Sequence, residues 1–166
     1  MTFFRDRRFQ RALSVALIVA YVLFIYSNSL QNGSASSDRS GRVTALVQSL
    51  LSSLGWEGTV SEHFLRKLAH FAEYAGLGVL LGLALRSFTP HLLRQAGFPL
   101  FIGLAVPVSD EFLQLFVEGR AGMVQDVALD FFGMLTGLAL TVALLLLSIH
   151  RKRGNETAGE AEREDG

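Results

Sequence analysis

Arg66, Lys67, His70, Glu73 and Tyr74 crowd into one stretch that leads straight into an apolar run, Asp110, Glu111 and Gln114 close another, and Asp126 and Asp130 open a third. An ionisable group inside a bilayer costs about 2.5 kcal/mol or more on insertion scales, so a chain keeps such groups where they pair or work. Two chemistries are open to them. In the first, Lys67 and Arg120 contact an anionic head group while Glu73, Asp110 and Asp126 orient those cations, with Arg66, Tyr74, Gln114 and Asp130 completing the binding set. In the second, His70 or Glu73 is a general base and Asp110 or Glu111 polarises a water, acting on a lipid-linked substrate. A purely structural role competes with both, since carboxylates and cations also fasten helices to one another in membranes.

Lys67, His70, Glu73 and Tyr74 follow at intervals of three, six and seven from the lysine, which we read as one helical stripe, with His63 extending it a turn outward. Asp110 and Gln114 are four apart, Glu111 and Gln114 three apart, and Pro107 just before them removes a backbone bond and favours a kink. His70-x-x-Glu73 with Asp110, Glu111 and Asp126 would offer nitrogen and oxygen ligands to a divalent ion. The chain has no His-Glu-x-x-His motif, however, and only His63 is placed to add a second imidazole, so no metal and no cofactor is expected. Ser109 beside Asp110 lacks the Gly-x-Ser-x-Gly elbow of a serine nucleophile.

Elements long enough to hold these groups in a membrane need roughly 20 apolar residues each. Four runs qualify, at about 12–26, 68–85, 98–117 and 127–149, which predicts an all-α membrane bundle over residues 1–150. The first run follows Arg5, Arg7, Arg8 and Arg11 as a secretory signal would, yet the small residues Gly33-Ser34-Ala35 lie several polar positions beyond it, so retention is expected. Basic residues cluster before the first run, at Arg86 and Arg94, and at Arg151-Lys152-Arg153, which places both termini in the cytoplasm. The site residues then all lie at the outward ends of their spans. A shared depth is more than scattered fastening residues require, so we expect one convergent polar site beneath the outer leaflet.

Between the first two spans, residues 27–41 are rich in Ser, Asn and Gly and predict a loop. Val43, Leu46, Val47, Leu50, Leu51 and Leu54 then recur on one helical face that Gly55 ends, predicting an amphipathic helix over about 42–54 that lies on the outer surface or caps the bundle. Gly78-x-x-x-Gly82 and Gly133-x-x-x-Gly137 permit close helix contact. Residues 151–166 are polar and Glu-rich and read as a disordered cytoplasmic tail.

Composition bounds the rest. Half of the 166 residues are hydrophobic and the mean hydropathy is +0.36, outside soluble usage. With 15 basic and 15 acidic residues the net charge is zero, so no nucleic-acid partner is indicated. The absence of cysteine excludes disulfides, thiol catalysis and thiolate metal sites.

The combination of Arg66-Lys67-x-x-His70-Phe71-x-Glu73-Tyr74, Asp110-Glu111-x-x-Gln114-x-Phe116-x-x-Gly119-Arg120, and Asp126 with Gly133 and Gly137 resembles the VanZ-like family of small membrane proteins, from about Ala12 to Leu147. Ser27, Gln31 and Ser40 stand where members often carry a Ser-rich segment, and Asp130 replaces an asparagine common in the family. The founding member is associated with low-level resistance to the glycopeptide teicoplanin. The resemblance therefore implies a bacterial plasma-membrane protein acting at the cell envelope, with a membrane lipid or lipid-linked wall component as partner. Some relatives carry an acyltransferase-like label, phosphotransbutyrylase, for which these residues offer no chemistry.

Overall fold

The computed structural model describes the backbone of residues 6–30 and 33–164 and the side chains of residues 6–30 and 40–151, which leaves Gln31 outside. The described chain is all-α, with helices α1 (Arg7–Ser29), α2 (Gly33–Ser53), α3 (Glu62–Phe88), α4 (Gly97–Gln114) and α5 (Val124–Glu164). Asp6 caps α1 by accepting from the Arg8 amide at 2.8 Å, and Ser61 caps α3 by accepting from the Phe64 amide at 3.2 Å. Gly55, at φ 83°, ends α2 as expected. The Trp56 amide reaches back to the Leu51 carbonyl and the Gly55 amide to that of Ser52, which satisfies the helix's last acceptors.

The helices overrun the apolar runs at several ends. Most of the loop expected over residues 27–41 is helix, because α1 continues to Ser29 and α2 begins at Gly33. The tail expected to be disordered is also a correction, since α5 continues through Glu164. Extending an existing helix needs no new nucleus, and the Ala, Glu, Lys and Arg residues of that segment are good helix formers. By contrast α4 stops at Gln114, and residues 115–117 tighten into successive turns in which each amide bonds the carbonyl three residues back. Gly119, at φ 75°, then reverses the chain.

Among the described residues three helices are long and apolar enough to cross a bilayer, α1, α3 and the 124–151 part of α5, so the expected count of four is not met by length and composition. The shortfall is α4, whose 18 residues include a last turn given to Asp110, Glu111 and Gln114. It nonetheless packs in the bundle. The core joins Tyr74, Leu77 and Leu81 of α3 to Ile25 of α1, Val106 of α4 and Met134 and Leu138 of α5. Large apolar side chains such as Leu23, Phe101, Phe112, Leu140 and Leu144 face outward, as a lipid solvent favours.

The expected glycine seam joins α3 to α5. A methyl group at Gly137 would overlap the carbonyl oxygen of Ala75, and one at Gly78 would overlap that of Met134, so the two backbones touch. Helix directions follow from contacts at the two ends. Arg11 donates to the Ser87 carbonyl at 3.2 Å, joining the start of α1 to the end of α3, while Lys67 at the start of α3 meets Asp126 at the start of α5. The end of α1, start of α3, end of α4 and start of α5 therefore share one end of the bundle. Arg7, Arg11 and Arg86 gather at the other.

Candidate functional site

At the shared end lies a cavity of about 420 Å³. Arg66, Lys67 and His70 line it from α3, Asp126 and Asp130 from α5, and Arg120 from the connecting turn. Glu111 and Gln114 reach it from the end of α4, and His63 completes the rim. Three separate helices thus deliver polar residues to one place.

Inside the cavity the charges are sorted by partner. Lys67 Nζ lies 3.0 Å from Asp126 Oδ1, both side chains partly exposed. His70 Nδ1 stands 3.9 Å from Asp130 Oδ2. Glu111 Oε2 accepts from the Met123 amide at 2.8 Å and so straps the end of α4 to the turn before α5. Burial lowers the pKa of Arg120, and neighbouring Arg66 acts in the same direction, yet a guanidinium stays charged throughout the physiological range. Arg66 itself lies 3.4 Å from the His63 ring.

Behind the cavity wall sits a drier network. Asp110 is fully buried, and its Oδ2 accepts from Ser29 at 2.7 Å, Tyr74 at 3.2 Å and Gln114 at 3.4 Å. Its Oδ1 has no hydrogen-bond partner, and neither does either oxygen of fully buried Asp130. One ligand atom from each of His70, Asp110 and Asp130 falls within 4.8 Å of the others. Tyr74 therefore acts from behind and does not line the cavity.

Glu73 departs from the expected stripe. At roughly 100° per residue, a separation of seven returns Tyr74 almost to the face of Lys67, whereas six leaves Glu73 about 120° away. Its carboxylate faces α1 and accepts from the Asn28 amide group at 2.9 Å, and its carbonyl accepts from Tyr21 at 3.0 Å. The ligand set imagined from His70-x-x-Glu73 with Glu111 and Asp126 is therefore not assembled, because Glu73 is turned away, Glu111 is held by a backbone amide and Asp126 by Lys67. Ser109 is also spoken for. Its hydroxyl bonds back to the Ala105 and Val106 carbonyls and meets the Tyr26 hydroxyl.

Asn28 and Ser29 were the residues that sequence reasoning passed over, having read them as loop. Their signal was the run Ser27-Asn28-Ser29 directly after Tyr26, with Tyr26 and Ser29 three apart, so that both hydroxyls reach α4 once α1 is continued by a turn.

The family model for VanZ/LLP1 matches residues 12–147, a stretch that takes in most of α1, all of α3 and α4, the cavity and the glycine seam. The chain belongs to the VanZ/LLP1 family. It is thus a membrane protein of the VanZ type, with apolar helices to match. No curated protein and no solved structure matches the chain significantly. The VanZ/LLP1 match ends at residue 147, short of the last turns of α5.

Proposed function

We propose that this VanZ/LLP1 protein resides in the bacterial plasma membrane and uses its polar cavity, opening toward the outer leaflet, to bind the anionic head group of an envelope lipid or lipid-linked wall component. The observation that carries this reading is the lining of one 420 Å³ cavity by Arg66, Lys67 and Arg120 together. Cations gathered at a membrane-proximal cavity suit phosphate and carboxylate oxygens, and Asp126 orients Lys67 toward them. In this reading α4 completes a fourth crossing, both termini are cytoplasmic, and the arginines at the far end face the cytoplasm. Family membership supports a role at the envelope, where head-group binding of this kind would raise tolerance to a glycopeptide such as teicoplanin at a low level.

The test is retention of co-purifying anionic lipid, read by native mass spectrometry on detergent-purified chain. Lys67→Ala and Arg120→Ala each lose the lipid that the native chain keeps. Equal retention in both variants would end the proposal.

A second reading is an integral-membrane hydrolase or transferase acting on a lipid-linked envelope substrate. It is favoured by the imidazole of His70 beside the carboxylates of Asp130 and Asp110, a pairing suited to moving a proton. Turnover of phosphate-bearing envelope lipids by the purified chain, lost in His70→Gln, separates the two.

A further inference from the structure

We propose that His70, Asp110 and Asp130 form a divalent metal site in the inner wall of the cavity. Three observations meet here. First, a ligand atom from each residue lies within 4.8 Å of the other two, and His70 Nδ1 is 3.9 Å from Asp130 Oδ2, so a small contraction brings nitrogen and oxygen donors around one ion. Second, Asp130 is fully buried and neither of its oxygens accepts a hydrogen bond, a state that leaves an aspartate short of positive charge. Third, the donors to Asp110 are one-sided. Ser29, Tyr74 and Gln114 all bond Oδ2, while buried Oδ1 accepts from none, as for a carboxylate steered by outer groups so that its free oxygen can ligate.

Among the groups beside it, Lys67 pairs with Asp126, and Glu111, itself an acid, takes the Met123 amide. One imidazole and two carboxylates are borderline-to-hard donors, a set that suits Zn²⁺ or Mn²⁺ better than soft Cu⁺. His70 and Asp130 also line the cavity, so three protein ligands leave coordination positions facing that space, the arrangement of an ion that takes water or a ligand oxygen as its next partner. Binding the ion displaces any proton held between these groups.

The experiment uses the full chain in detergent, stripped with chelator, dialysed against Zn²⁺ or Mn²⁺ alone and analysed for metal per chain. One ion per chain is expected, with Asp130→Asn losing it and Asp126→Asn keeping it. With Mn²⁺ loaded, electron spin-echo spectra carry the coupling of a single imidazole nitrogen, and His70→Gln removes that coupling. Native chain that retains no stoichiometric metal overturns the site. So does metal held equally by Asp130→Asn and Asp126→Asn, or a Mn²⁺ signal without nitrogen coupling; the last is read on native chain and stands even where a variant fails to fold. No lipid is measured, so the result is separate from the head-group reading.

Discussion

The Ser29 hydroxyl donates to Asp110 Oδ2 across 2.7 Å, tying the last turn of α1 to the last turn of α4 where both residues are buried from solvent. Ser29→Ala removes that donor and leaves the carboxylate with Tyr74 and Gln114. A single interhelical hydrogen bond in a membrane protein is worth about 0.5–2 kcal/mol, so the variant inserts but unfolds earlier by that amount in a detergent melt. A melt identical to native would show that the bond contributes nothing.

The Lys67–Asp126 pair is different because both side chains are partly exposed. Lys67→Ala shifts stability by no more than about 1 kcal/mol, as exposed pairs do, while removing a cation from the cavity. Unchanged melting with lost lipid retention is the expected combination. A large stability loss would make Lys67 a fastener instead.

Backbone contact along the α3–α5 seam makes Gly137 intolerant of any side chain. Gly137→Leu drives atoms into the Ala75 carbonyl, which cannot turn aside as a side chain can, and costs about 1–3 kcal/mol or more. Gly97 is the control. Nothing lies within 4 Å of a methyl group there, and Gly97→Ala leaves stability equal or up to about 1 kcal/mol higher. Paired unfolding curves check both.

The outward stripe of α2 gives a spectroscopic prediction. Val43, Leu46, Leu50 and Leu54 are exposed, so this face requires an apolar or interfacial neighbour. Trp56, the chain's one tryptophan, follows directly and is exposed, at 43%. In vesicles its emission should be quenched more by lipid brominated near the head group than by lipid brominated deep in the chains. Quenching by aqueous iodide alone would place α2 clear of the membrane.

Orientation can be read with introduced thiols, the native chain having none. Glu118→Cys, near the cavity, should label from outside intact cells, and Gln95→Cys, at the other end, only after permeabilisation. The reverse pattern would turn the cavity toward the cytoplasm.

Much of the cavity could be read in advance because charged residues at the ends of apolar runs are constrained twice, by helical phase and by depth. Lys67, His70, Asp126 and Asp130 meet for that reason. Glu73 was misplaced because an interval of six counts whole turns poorly, and its partner Asn28 lay in a segment whose composition mimics a loop. The buried trio was obscured for another reason. Asp130 lies one turn beyond Asp126, and the sequence alone does not reveal that Lys67 would pair with the first aspartate and leave both oxygens of the second without a hydrogen bond. The long continuation of α5 escaped because composition measures the absence of a core, whereas a helix already under way needs none.

Where two helices are in contact main chain to main chain, neither can slide or tilt without breaking that fit, so α3 and α5 behave as a single slab. On the opposite side α1 and α4 are tied to each other through side chains, Tyr26 with Ser109 and Ser29 with Asp110. Any breathing that admits a bulky occupant must therefore come from α1 and α4 leaving the slab as a linked pair, and the bonds from Tyr21 and Asn28 to Glu73 and from Tyr74 to Asp110 are the latch that such an opening would first undo.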